Sequence, residues 1–165
     1  MELKFKVQTK IQKPVAEVFD AVYNPAKLSG YFTNGGASAP LEEGTTVEWA
    51  FADNPGDEQL KFPVEVKKSV KDELIELGWE GAKGLQTHIR MEFEAAGGDN
   101  TIVRISETGW REEDLDSSYL NCMGWTQMLC CLKAFVEYGI DLRKGAFEGL
   151  YSASDHYSHG EMAAA

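Results

Sequence analysis

The sequence predicts an α+β protein in which six antiparallel strands form one sheet against a single long C-terminal helix, with two short helices inserted after the first strand. Three observations carry this reading. Segments of period-2 alternation follow one another from residue 45 to residue 107, separated by short Gly-, Asn- and Asp-rich turns, as an antiparallel meander requires. A helical period then takes over near Ser117 and holds toward Lys144. Pro14 and Pro25 each stand at the head of a short helical run between the first strand and the remainder.

The first strand is explicit: Leu3, Phe5, Val7, Thr9 and Ile11 alternate with Lys4, Lys6, Gln8, Lys10 and Gln12, which gives one wet face and one core face. Val15, Val18, Phe19 and Val22 follow Pro14 at helical spacing until Asn24-Pro25 stops the run, and a second short helix is expected over Ala26 to Tyr31. The stretch from Asn34 to Gly44 is loop by composition. Strands are expected at Thr45 to Phe51, Lys61 to Val70, Glu73 to Trp79, His88 to Glu94 and Thr101 to Glu107, with a turn over Asp53 to Asp57 and a loop around Gly81 and Gly84. Their core set is Val47, Trp49, Phe51, Val64, Val66, Ile75, Leu77, Ile89, Met91, Phe93, Val103 and Ile105, so the inward positions read as aliphatic or aromatic. Arg90 and Arg104 fall on the opposite, solvent face.

In the long helix, Trp125, Leu129, Leu132 and Val136 form a narrow apolar stripe that belongs against the sheet. Asp116 or Ser117 is the expected N-cap and Gly145 the expected stop. The far side, with Leu120, Met123, Cys130 and Tyr138, is apolar as well, so cover by the tail or by a second subunit is expected. Residues 1–145 read as one domain and 146–165 as a C-terminal extension, partly disordered.

Composition excludes several function classes. Sixteen Lys+Arg stand against 27 Asp+Glu, a net charge of −11, which leaves a phosphate-binding, counterion-releasing surface without a basis. No nucleic-acid partner and no membrane span are expected, since no apolar run approaches the ~20 residues a spanning helix needs. The chain opens directly into strand alternation, which predicts a cytoplasmic protein. Cys122 and Cys130 would lie ~12 Å apart on a helix, too far for a disulfide, and with Cys131 the three cysteines read as small buried hydrophobes.

The sequence carries no phosphate-binding glycine loop, nucleophile elbow or paired metal-binding histidines, so no cofactor, no metal site and no catalytic set is expected. His88 reads as a rim histidine, and Asp155, His156, His159 and Glu161 as a solvated tail. Trp49, Trp79, Trp125 and Met128 converge on one core, and large rings in a small sheet tile with gaps. That points to an apolar pocket bounded by Trp49, Trp79, Trp125 and Leu129, entered near Leu28 to Gly36.

The motifs also resemble a known family. Pro14-Val15-Ala16-Glu17-Val18-Phe19-Asp20-Ala21-Val22, Asn24-Pro25-Ala26-Lys27-Leu28 with Tyr31-Phe32, Ser106-Glu107-Thr108-Gly109-Trp110, and Gly124-Trp125 with Leu129, Leu132 and Glu137 resemble the START-like (SRPBCC) superfamily, in the branch similar to the C-terminal domain of the heat-shock ATPase activator. The resemblance spans roughly Leu3 to Lys144. It implies a helix-grip (START/Bet v-like) fold whose curved sheet wraps the last helix, and a cavity between them that holds lipids, polyketides, hormones or other apolar molecules. The function expected on this basis is binding or carriage of a small apolar molecule at Trp49, Trp79, Trp125, Met128, Leu129 and Leu132. A protein-interaction or chaperone-accessory module and a cyclase-like enzyme on an apolar substrate are the alternatives the resemblance leaves open, while a homodimer is expected as one way to cover the apolar far side of the long helix.

Overall fold

A computed structural model of the chain describes residues 1–54 and 59–150. In chain order the elements are β1 (Leu3–Ile11), α1 (Val15–Tyr23), α2 (Pro25–Leu28), β2 (Gly36–Ala37), β3 (Thr46–Phe51), β4 (Leu60–Val70), β5 (Leu74–Ala82), β6 (Leu85–Ala95), β7 (Thr101–Trp110), a 3-10 turn over Glu112–Asp114, and α3 (Leu115–Tyr138). The strands form one antiparallel sheet in the order β1-β7-β6-β5-β4-β3-β2. Its inner face packs on α3 with α1 and α2 closing one end, as the helix-grip reading requires.

The sheet has seven strands instead of the expected six. The additional one, β2, is a two-residue edge strand whose Gly36 and Ala37 lie opposite Ala50 and Trp49, inside the stretch that composition marks as loop. Two residues are too short to show alternation, so only the pairing reveals them. Gly35 is obligatory beside it, because a Cβ there would lie 2.8 Å from the Ala50 backbone.

The early helices follow their caps. Asn24 ends α1 and its Oδ1 accepts from the amides of Ala26 and Lys27 at 3.0 and 3.4 Å, with Pro25 at the first helical position. This helix stops at Leu28, short of the expected Tyr31. The Tyr31 hydroxyl donates to the Ala21 carbonyl at 3.1 Å and its ring is buried, so the residue serves as a core plug.

Two further boundaries differ from expectation. The β5–β6 hairpin is tighter than the Gly81 to Gly84 loop foreseen: β5 continues through Gly81 to Ala82, and Gly84, at φ 70°, makes the turn. The last helix spans Leu115–Tyr138, not Ser117–Lys144, because Gly139 adopts φ 66° and caps it. The amides of Gly139 and Ile140 donate to the carbonyls of Phe135 and Ala134 there. Arg143 and Lys144 therefore lie beyond the helix.

All twelve strand positions assigned to the core are buried, as are Trp125, Leu129 and Leu132, with Val136 partly buried against them. The outer face of the sheet is ionic: Arg90 pairs with Glu76 and Glu92, His88 Nε2 lies 3.6 Å from Glu76, and Arg104 pairs with Glu94. The cysteines differ from the expectation of uniform burial, since Cys131 is buried, Cys122 is half-buried and Cys130 is exposed, all as free thiols. Among the described residues, no helix is long and apolar enough to cross a membrane.

Candidate functional site

The structure brings the three predicted core tryptophans together. Ring centroids lie 6.1 Å apart for Trp49 and Trp79, 6.4 Å for Trp49 and Trp125, and 5.4 Å for Trp79 and Trp125. Period-2 alternation places Trp49 and Trp79 on the inner face of β3 and β5, and the helical stripe turns Trp125 down from α3 to meet them. Phe32, from the segment after α2, joins at 5.5 Å from Trp49 and 5.8 Å from Trp125. Met128, Leu129 and Leu132 continue the same buried face of α3.

At the centre of this aromatic group stands a residue that the expected site lacks. Glu107 is fully buried. Its Oε1 accepts from Trp79 Nε1 at 3.0 Å and from Thr87 Oγ1 at 2.5 Å, and its Oε2 accepts from Trp125 Nε1 at 2.8 Å. Register explains the convergence. Trp79 and Thr87 are direct cross-strand partners on β5 and β6, and Glu107 lies opposite Ile89, two residues along β6 from Thr87. The expectation that inward positions are all aliphatic or aromatic is thus corrected by Thr87 and Glu107. The signal was present: the alternation that turns Val103 and Ile105 inward also turns Glu107 inward, and that of Ile89 and Met91 does the same for Thr87.

The Glu107 carboxyl titrates above an ordinary glutamate. Burial pushes its pKa above the ordinary 4.5, while the hydrogen bonds from Thr87, Trp79 and Trp125 pull it back. Cys122 on α3 feels the same surroundings, its thiol raised by burial and by the Glu107 charge. Space for Thr87 depends on Gly81, where a Cβ would stand 2.5 Å from Thr87 Oγ1. A second polar feature is an indole donor: Trp49 Nε1 is buried without a hydrogen-bond partner among the described residues.

One edge of the aromatic group is covered by the chain that follows α3. The Arg143 guanidinium donates to Asp53 through Nε to Oδ1 at 2.9 Å and Nη2 to Oδ2 at 2.8 Å. Its Cζ sits 5.7, 5.0 and 4.6 Å from the ring centroids of Phe32, Phe51 and Phe147. Asn34 Nδ2 also donates to Asp53 Oδ1 at 2.9 Å, and the Gly149 amide donates to Asn54 Oδ1 at 2.8 Å. Residues 139–150 thus lie across the segment expected to form the entrance, with Asp53 as the shared anchor.

Other candidates separate from this site. His88 lies mid-strand on the ionic outer face, while Asp155, His156, His159 and Glu161 fall outside the described residues, as does most of the Asp53 to Asp57 turn. Among the described residues no three His, Cys, Asp or Glu side chains are grouped to hold a metal ion. A groove of about 690 Å³ runs between α1 and the β4–β5 turn, lined by Phe19, Tyr23, Glu17, Glu43 and Asp72, away from the tryptophans.

Comparison with known proteins matches this architecture. The protein SSP2350 from Staphylococcus saprophyticus superposes with a TM-score of 0.71 at 23% identity, over 86% of this chain and 96% of its own. The Aha1 protein from Colwellia psychrerythraea, solved as a dimer in solution, gives 0.68 at 20% identity over 83% and 98%. DynU16, described as a putative protein in the dynemicin biosynthetic locus, gives 0.69 at 22% identity, over 82% of this chain and 48% of its own. No curated protein sequence matches the chain. The family model for Activator of Hsp90 ATPase homolog 1-like protein matches residues 12–137, from the end of β1 to the last turn of α3, and the chain belongs to that family.

Proposed function

We propose that the chain binds a small hydrophobic molecule between the sheet and α3, at Trp49, Trp79, Trp125, Met128, Leu129 and Leu132, with Glu107 as the polar anchor. The observation that carries this reading is the buried Glu107 carboxyl held by two indoles and a hydroxyl. Burying a carboxyl costs several kcal/mol even when it is hydrogen-bonded, so a core selected for stability alone favours an apolar side chain there. An apolar interior with a few convergent polar groups and a perturbed titratable residue is the usual makeup of a ligand site. The likeness to DynU16, a protein of a biosynthetic locus, accords with a small-molecule role. Titration of the full chain with the neutral dye N-phenyl-1-naphthylamine tests the reading: saturable fluorescence enhancement is expected, and its loss in a Leu129→Trp variant that still melts cooperatively. Absence of any saturable response in the wild type overturns it.

A second reading, self-association into a homodimer, is favoured by a different observation. Tyr119, Met123 and Cys130 on α3 and Tyr138 at its end are exposed in the single chain. The stretch Phe147 to Leu150 does not cover Met123 or Tyr138, which stay 41% and 67% exposed, and instead approaches Asn54. A second copy is the partner best suited to such a face.

A further inference from the structure

Among the described residues two indole donors, Trp49 Nε1 and Trp110 Nε1, are buried without an acceptor, and of these Trp49 stands in the aromatic group, where Trp79 and Trp125 give theirs to Glu107. An indole N–H can only donate, and a buried donor left unpaired is costly enough that native structures nearly always satisfy it. The ring neighbours of Trp49, namely Phe32, Trp79 and Trp125 at 5.5, 6.1 and 6.4 Å, all stand edge-to-face with it, and neither a phenyl nor an indole side chain carries an acceptor atom. We propose that the bound molecule is a neutral, largely apolar compound carrying a carbonyl or comparable acceptor oxygen, and that this oxygen takes the hydrogen bond from Trp49 Nε1. The proposal rests on the ligand-binding reading above and adds the chemical class of the ligand.

Charge narrows the class. An anionic head group here would be buried beside Glu107 with no countercharge. Arg143, the cation that covers this edge, already gives two hydrogen bonds to Asp53, and both side chains are largely buried at 13% and 15% exposure. A cationic head group could lie on the ring faces, yet it brings no acceptor for Trp49, and the Glu107 oxygens it would seek already receive three hydrogen bonds. A neutral oxygen satisfies the orphan donor without a second buried charge, and the rest of such a molecule meets aromatic and aliphatic surface.

Four probes of nearly one shape separate these possibilities on the full chain: 2-acetonaphthone, 2-isopropylnaphthalene, 2-naphthoate and 2-naphthamidinium. The ketone is expected to bind about tenfold tighter than the hydrocarbon, the worth of one net hydrogen bond, and to shift the Trp49 indole N–H resonance. Trp49→Phe is expected to abolish the preference while retaining binding of both. Equal affinity for ketone and hydrocarbon, a preference that survives Trp49→Phe, or tightest binding of the naphthoate or amidinium overturns the proposal. Should Trp49→Phe fail to fold, the wild-type indole resonance decides: a shift with the ketone and not with the hydrocarbon supports it, and any other pattern overturns it. Binding without preference removes this inference alone, whereas no binding of any probe removes the ligand reading with it.

Discussion

Glu107 shows how much one side chain can demand of its surroundings. Three donors from three different elements are spent on its two oxygens, and Gly81 must lack a side chain so that Thr87 can reach it. Glu107→Gln replaces one acceptor oxygen by an amide group that cannot accept, which strands an indole or hydroxyl donor. A loss of about 1 to 3 kcal/mol in chemical denaturation is expected at acidic pH. The gap should narrow with rising pH. The folded carboxyl titrates above its unfolded value of about 4.5, so its contribution is fully present below that value and is lost as pH rises toward the raised one, a slope the glutamine lacks. A gap independent of pH between 4 and 8 contradicts the assignment of a raised pKa. Gly81→Ala should reach the same network by another route, since its Cβ would fall 2.5 Å from Thr87 Oγ1 and 3.0 Å from the Trp110 ring. A cost of about 1 to 3 kcal/mol, with an altered near-ultraviolet tryptophan dichroism, is the expected result, and a silent substitution counts against the packing described.

At the scale of elements, α3 and the chain after it divide the work. The helix is tied to β1 by Lys133 Nζ, which donates to the Lys10 carbonyl at 3.0 Å, and to the residue just after β1 by Glu137 Oε1, which accepts from the Gln12 amide at 2.6 Å. Gly139 then ends the helix in the left-handed region and lets residues 140–150 turn back over Phe32 and Phe51. Gly139→Ala should cost about 1 kcal/mol, because the alanine must adopt a positive φ to preserve the turn. The clamp itself is measurable by a double-mutant cycle. Asp53→Asn and Arg143→Gln should show a coupling of about 1 to 3 kcal/mol, larger than for the exposed pairs on the outer sheet face, together with faster acrylamide quenching of tryptophan fluorescence in either single variant. Additive effects with unchanged quenching contradict a covering role for this segment.

For the whole molecule, the sheet and α3 share one core, and Leu129 lies within it at 2% exposure. Leu129→Ala should destabilise the fold by about 2 to 5 kcal/mol if the surrounding core is filled, and a much smaller loss places Leu129 on an open cavity. The exposed apolar face of α3 makes a separate, concentration-dependent prediction. Sedimentation of the wild type should show reversible dimerisation that Tyr119→Glu combined with Met123→Glu abolishes, and a monomer at all concentrations removes the homodimer reading.

The order of the elements was legible without coordinates because alternation and helical period are local: each strand from β3 to β7 announces its inner residues two positions at a time, and Trp125, Leu129 and Leu132 mark the buried stripe of α3 by spacing alone. The same rule reaches Glu107 and Thr87, yet hydrophobicity is the usual token of an inward position, and a carboxyl among ring faces is tolerated only when donors from distant strands meet it. Which donors meet it is decided by register, Trp79 against Thr87 and Glu107 against Ile89, and by the fall of α3 that brings Trp125 within 2.8 Å. Gly145 was the expected stop of the last helix, and the tertiary structure stops it at Gly139 instead, which lets Arg143 reach Asp53, 90 residues away in sequence. Local pattern therefore determined the layers and their faces. Long-range pairing decided the polar centre, the unpaired Trp49 donor and the segment closed over them, because each is a meeting of residues whose separation along the chain carries no periodic signal.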